Sequence, residues 1–302
     1  MIQLTWQYAG QTPQTLAVFL KQHGFSRNFL KKIKYHGGAL LVNQQPVTVR
    51  ALCQLNDQIQ VQLPPEPPLA RIEPAAPQLQ VLFEDDHFLI VDKPALVAAM
   101  PSHVYKTDTM ANRVKGYLIA QHAPSQVIHI VTRLDRGTSG VMLFAKHGYA
   151  HSLLSQQLQT GQLHKQYVAF VQGQLPQQHQ QIDFPIGRLP GSFIQRTTCA
   201  SGRAALTEYW QQAGYPQATR LQIALHTGRT HQIRVHFSAI GHPLLGDTLY
   251  GGPTIAGLKR PALHCQQVQF FHPFQQKVLT IKSELPPDLL QLAQQLPTLT
   301  RL

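Results

Sequence analysis

The chain has 302 residues, 43% of them apolar, enough to build one large or two ordinary domains around a packed core, which excludes a disordered or fibrous chain. Lys plus Arg total 26 against 14 Asp plus Glu, and a formal charge of +12 points to a polyanionic partner, nucleic acid or an acidic membrane surface, with nucleic acid favoured. Cys53, Cys199 and Cys265 are far apart and form no Cys-x-x-Cys, which argues against a disulfide framework or a zinc site and suits a reducing compartment. No metal-binding His spacing and no phosphate-binding glycine loop is present, so neither metal nor nucleotide cofactor is expected. The start of the chain does not read as a leader, and no apolar run nears about 18 residues, so a cytoplasmic protein without a membrane partner, monomeric by default, is expected.

In chain order, Leu16, Phe19 and Leu20 predict a short helix ending near Gly24. A second helix starts at a Ser26 cap and stops at Gly37-Gly38. On it Arg27, Lys31 and Lys34 share one face, opposite Phe29, Leu30 and Ile33, so a cationic side backs a packed one. Short strands follow at Ala39-Leu40-Leu41-Val42, at Val47-Thr48-Val49 and through Ile59, Val61 and Leu63, with turns at Asn43-Gln44-Gln45 and Asn56-Asp57. Six prolines from Pro64 to Pro77 then break all regular structure, so residues 64–78 read as a semi-rigid linker between a small unit, 1–63, and a large one, 79–302.

After the linker, Val81-Leu82-Phe83 and Phe88-Leu89-Ile90-Val91 are strands around an acidic turn, and Met110, Val114 and Leu118 mark a helix. Val127-Ile128-His129-Ile130-Val131 and Val141-Met142-Leu143-Phe144-Ala145 read as buried strands. Between them lies Arg133-Leu134-Asp135-Arg136-Gly137-Thr138-Ser139-Gly140, a loop that sets one carboxylate between two guanidinium groups expected to keep it ionised. Leu153, Leu154 and Leu158 give a helix stopping at Gly161, Tyr167-Val168-Ala169-Phe170-Val171 a strand, and further strands lie at 206–210, 221–225 and 268–271. Ile233, Phe237 and Ile240 predict a helix from about Thr230 to Ile240, with Gly241 after it. Helices mixed irregularly with many strands indicate an α+β fold with a mainly antiparallel sheet, not a βαβ repeat.

Three separated segments acquire meaning together: the Asp135 loop, Lys165-Gln166-Tyr167-Val168-Ala169, and Thr227-Gly228-Arg229-Thr230-His231-Gln232-Ile233-Arg234-Val235-His236. In this order the chain resembles the RluA/RluD family of RNA pseudouridine synthases over nearly its whole length. Val91-Asp92-Lys93-Pro94, Thr109-Met110-Ala111-Asn112, Gly246-Asp247-x-x-Tyr250-Gly251, Leu263-His264-Cys265 and Phe271-His272-Pro273 add to the match. The first unit is similar to the S4-like RNA-binding domain that many members carry in front. Three departures stand out. Thr132 occupies the place of the family's usual His, Ala95-Leu96-Val97 lacks the customary Gly, and Gln14-Thr15-Leu16 replaces the usual Arg-Leu-Asp of the front unit.

The resemblance implies a pseudouridine synthase fold preceded by a small S4-like α/β domain, and an enzyme that isomerises uridines in ribosomal large-subunit RNA or transfer RNA. It implies Asp135 as the acting carboxylate, either a nucleophile or a base on the ribose 2′ proton, paired with Arg234. Tyr167 would receive the extruded uracil. Arg133 would help displace the flipped base, Arg136 would brace the loop or meet phosphate, and Arg229 and His231 would meet phosphate or order their loop. Arg27, Lys31 and Lys34 would contact RNA from the front unit. The chemistry has no redox step and loses no atom, so the resemblance adds no cofactor. A non-catalytic RNA-binding or ribosome-assembly protein on the same fold leaves the joint presence of Asp135, Tyr167 and Arg234 unexplained. A nucleoside hydrolase lacks a second acid near Asp135.

Overall fold

The computed structural model describes residues 2–67 and 72–296. Six α-helices lie in the described residues: α1 (Leu16–Gln22), α2 (Arg27–Tyr35), α3 (Met110–Ala120), α4 (Gly148–Gln159), α5 (Gln232–Ala239) and α6 (Pro287–Gln295). The front unit is an antiparallel sheet in the order Gln3–Gln7, Gln58–Gln62, Ala39–Val42, Gln45–Pro46, with α1 and α2 packed on it. Leu16, Leu20, Ile33, Ile59 and Val61 are buried in its core. Ser26 caps α2 as expected, its hydroxyl accepting from Phe29 N at 3.2 Å. The expected strand 47–49 is instead a loop. Asn43 and Gln44 both take left-handed backbone in a two-residue turn, which brings Gln45 opposite Val42 and Pro46 opposite Leu41 before the ladder stops.

Residues 64–67 and 72–78 of the expected linker hold no helix or strand, residues 68–71 lie outside the described residues, and the described part is fastened down and is no free spacer. Glu66 accepts from Gly148 N at 3.1 Å and Ser125 Oγ at 2.8 Å and meets His129 Nε2 at 3.0 Å. Asn112 Nδ2 donates to Glu73 O at 2.6 Å, and Ala75 N donates to Asn112 O at 3.0 Å. Tyr149, at the start of α4, stacks on Phe25 of the front unit with ring centres 4.1 Å apart, and its hydroxyl donates to His23 O.

A ten-stranded sheet dominates the remainder of the described chain. Its path runs His179–Asp183, Leu206–Tyr215, Ala218–Leu225, His164–Gln172, Leu263–His272, Ser139–Ala145, Phe88–Lys93, Gln80–Glu84, with Lys277–Lys282 beside Leu263–His272 and His129–Ile130 beside Ser139–Ala145. Every neighbouring pair is antiparallel except one, the parallel joint of Ser139–Ala145 with Leu263–His272. Ser139–Ala145 is buried along its whole length, which explains its unbroken apolar run. Val114 of α3, Leu154 of α4 and Phe237 of α5 are buried in the same core. The fold is thus α+β with a mixed, mostly antiparallel sheet.

Two boundaries differ from expectation. Of residues 127–131 only His129–Ile130 forms a strand; Val131 N still donates to Leu143 O at 3.0 Å, but Leu143 N turns to Thr132 Oγ1 at 3.0 Å and ends the ladder. Helix α5 begins at Gln232, not Thr230, because His231 has φ 59°, a left-handed turn immediately before it. Gly241 follows α5 with φ 80°, the expected helix stop.

Candidate active site

Asp135 reaches its position through the parallel joint. Gly140 pairs with Cys265, and Cys265 pairs on its other side with Tyr167. The loop that ends at Gly140 therefore delivers Asp135 next to the strand that bears Tyr167, although 32 residues separate them in the chain. Gly140 is required here, because it has φ 110° and an added Cβ would lie 2.2 Å from Cys265 O. Within the loop, Thr138 N donates to Asp135 O at 3.0 Å, the turn that the Gly-Thr sequence foreshadowed.

Asp135, Tyr167 and Arg234 line one cavity of about 650 Å³, together with Arg133, Arg229 and His231. The Asp135 side chain keeps 29% of its exposure, so a substrate can reach it. Its expected partners Arg133 and Arg136, its neighbours in sequence, are not its partners in space. Among the described residues the basic side chains within 4.0 Å are Arg234, whose Nη1 lies 4.0 Å from Oδ2, and His231, whose Nε2 lies at the same distance. The turn sends Arg133 outward, and Arg136 rests over the Tyr105 ring at 4.7 Å while its carbonyl accepts from Leu96 N.

The expected pairing of Arg234 with Asp135 is also changed. Arg234 donates to both oxygens of Asp247, from Nε and Nη2, each at 2.7 Å, and Asp247 is 1% exposed. Bidentate geometry and burial make this the stronger pair, so Asp135 receives the remaining Nη1 at longer range. The Tyr250 ring lies 4.8 Å from the Arg234 guanidinium, and its hydroxyl meets His231 Nδ1 at 2.8 Å and accepts from Arg196 N at 2.9 Å. Asp247 and Tyr250 come from one of the quoted motifs, but nothing in the sequence told of their contact with Arg234, which the turn at Gly246 and the 3-10 turn Thr248–Tyr250 create.

Burial opposes the charge on Arg234, but the hydrogen bonds and charge of Asp247, with Asp135 adding, hold its guanidinium above the ordinary value. Burial pushes the His231 imidazole down, Arg234 adds to that, and the two carboxylates oppose it. Burial, with the Cys265 thiol and Asp135 adding, raises the Tyr167 hydroxyl well above an ordinary phenol, and Tyr167 is only 4% exposed. Arg229 Nε donates to Ala204 O at 2.9 Å, so this residue orders its own loop. Arg27, Lys31 and Lys34 are exposed on α2 and are not part of the cavity wall.

The ten-stranded sheet thus carries a cleft that sets a carboxylate, a guanidinium and a buried tyrosine around one space. The chain matches the family model described as RNA pseudouridylate synthase over residues 87–239. It is 38% identical over 278 residues to the RNA pseudouridine synthase YjbO of Bacillus subtilis (strain 168), covering 92% of this chain and 98% of that one. It is 34% identical over 286 residues to the ribosomal large subunit pseudouridine synthase D of Xanthomonas campestris pv. campestris, covering 89% of this chain and 84% of that one. Its fold is similar to the solved structure of human RNA pseudouridylate synthase domain containing 4, with TM-score 0.60 at 19% identity over 72% of this chain and 92% of that one. The chain belongs to the RNA pseudouridine synthase family and is an isomerase. No helix of the described residues is long and apolar enough to cross a membrane.

Proposed function

We propose that the protein converts specific uridines of large-subunit ribosomal RNA to pseudouridine, with Asp135 as the carboxylate that acts on the ribose. The observation that carries this reading is the placement of Asp135 in an accessible cavity, 4.0 Å from a guanidinium that Asp247 holds in place. A carboxylate in a closing site is driven toward protonation as water leaves, and a fixed cation keeps it charged. Arg234 is that cation. The ribosomal name of the Xanthomonas relative supports the choice of RNA.

Uracil cannot rotate inside a stack, so the target nucleotide is extruded into the cavity. Tyr167, held neutral by its surroundings, presents a ring for the base to stack on. Arg133, exposed at the rim, fills the place the base leaves, while Arg136 braces the loop through Tyr105. Arg229 and His231 face the incoming backbone, and Arg27, Lys31 and Lys34 of the S4-like unit add a distant contact with phosphate. Mapping pseudouridine in ribosomal and transfer RNA with and without the gene tests the assignment. Loss of one or more sites in large-subunit ribosomal RNA is expected, and loss confined to transfer RNA would overturn the choice of substrate.

A further inference from the structure

Among the described Lys and Arg side chains that line the cavity, the exposed Arg133 and the half-buried Lys165 make no hydrogen bond or ion pair, and of the two only Lys165 is withdrawn from solvent. Lys165 precedes Tyr167 by two residues on the strand His164–Gln172, so strand alternation puts both on one face, and both line the cavity. Pairing with Leu263–His272 slips here, from Gln166 opposite Gln267 to Tyr167 opposite Cys265, a bulge of the kind that re-aims side chains beside active sites. Among the described residues Lys165 Nζ has no hydrogen bond and no ion pair. Gly228 stands across from it, where an added Cβ would lie 3.9 Å from Nζ, in ordinary contact.

Two other buried cations, Lys93 and Arg260, are satisfied, whereas Arg220 Nε is likewise buried without a hydrogen bond. Lys93 Nζ donates to the carbonyls of Pro94, Val97 and Arg136 at 2.9, 2.7 and 3.3 Å, and Arg260 donates to Asp288 at 2.7 and 2.8 Å. Lys165 is half-buried without such compensation, and burial lowers its pKa. Leaving a poorly hydrated ammonium unpaired is costly, and the cost is offset when a ligand brings negative charge to it.

The proposed reaction creates that charge. When the bond from C1′ to N1 breaks, its electron pair leaves with the base, so the detached uracil is an anion spread over N1, O2 and O4. The base then rotates, C5 attacks C1′, the C5 proton departs and N1 takes up a proton, leaving an isomer with nothing gained or lost. We propose that Lys165 is a further catalytic residue, whose ammonium hydrogen-bonds a carbonyl oxygen of the detached uracil and stabilises its negative charge. The proposal rests on the isomerase reading of the site. Removing one preorganised donor to a developing anion typically costs about 100-fold or more in rate.

The test is single-turnover kinetics of wild type, K165M and K165R on a pool of unmodified ribosomal and transfer RNA transcripts, with RNA affinity and thermal melting measured on each. Wild-type turnover reports on the isomerase reading, and the ratio of variant to wild type reports on Lys165 alone. K165M should lose about 100-fold in rate at saturating enzyme while affinity stays within about 3-fold, the pattern of an interaction made only as charge develops. K165R, which keeps the charge on a different head group, should recover to within about 10-fold of wild type. An unchanged rate in K165M, a loss seen only in affinity as for a phosphate contact, or an equal loss in K165R would overturn the proposal.

Discussion

Arg234 divides its charge between two carboxylates of unequal standing. Asp247 is buried and takes both forks of the guanidinium at 2.7 Å, while Asp135 is partly open and receives what remains at 4.0 Å. Arg234 is therefore a structural residue as much as a functional one. Replacing it by Gln strands Asp247 as an unpaired buried charge, which should cost about 3–5 kcal/mol in urea denaturation. A loss below about 1 kcal/mol would show that Asp247 finds water or another donor. That Asp135, Tyr167 and Arg234 meet at one cavity was legible in the sequence because three ordered motifs named them together. Asp247 lay inside a quoted motif, yet its pairing with Arg234 was hidden, since the chain makes that contact only after folding. The guanidinium groups of Arg133 and Arg136 were misleading for the converse reason: adjacency in a turn sends side chains apart.

The parallel joint is the element on which the site depends. Ser139–Ala145 and Leu263–His272 meet at Gly140 and Cys265, close enough that no side chain fits at Gly140. Gly140→Ala adds a Cβ against a backbone carbonyl and forces a left-handed φ on alanine, and should destabilise the protein by at least about 3 kcal/mol. An unchanged melting midpoint would mean that the joint has slack. Strands such as Tyr167-Val168-Ala169-Phe170-Val171 were readable as apolar runs because they are buried on both faces. Gln3–Gln7, His179–Asp183, Arg196–Thr198 and Lys277–Lys282 were missed, since polar residues dominate them and only one neighbour covers each of the edge strands. Helix α6 was missed too, although Leu289 and Leu292 bury behind its opening Pro287.

Across the whole molecule, the front unit and the large unit are held by a few polar contacts over an aromatic seam. Two carboxylates carry the pH dependence: Glu66, which ties the linker to the large unit, and Asp85, whose partners lie within the large unit. Burial opposes ionisation of Glu66, but His129, Ser125 and Gly148 N outweigh it and hold its pKa below the usual 4.5. Burial likewise opposes Asp85, yet His272 and the N–H groups of His87 and Phe88 bring it down from 3.8 to about 2. A depressed acid stabilises fully above its unfolded value and loses that contribution as pH falls through its folded value. The melting temperature should therefore fall from about pH 5 toward pH 2, and Glu66→Gln should flatten the upper part of that fall. Identical profiles for the two proteins would remove Glu66 from the account. The proline segment was legible as a break in regular structure, but its fastening by Glu66 was not, because an acid among prolines carries no sign of its partner.

On the proposed function, RNA affinity rests on the charge of the whole surface and chemistry on Asp135, so the two should separate. If α2 touches phosphate, the triple change R27Q, K31Q and K34Q should weaken binding and reduce the slope of log affinity against log salt by up to about 2 to 3. An unchanged slope would place α2 away from the RNA. The most direct test of the central claim is pseudouridine formed by Asp135→Asn under single turnover, beside its RNA affinity. The account predicts no detectable product with affinity within about 3-fold of wild type, since one charge among many is lost from the binding surface. Normal isomerisation by the Asn variant would contradict it.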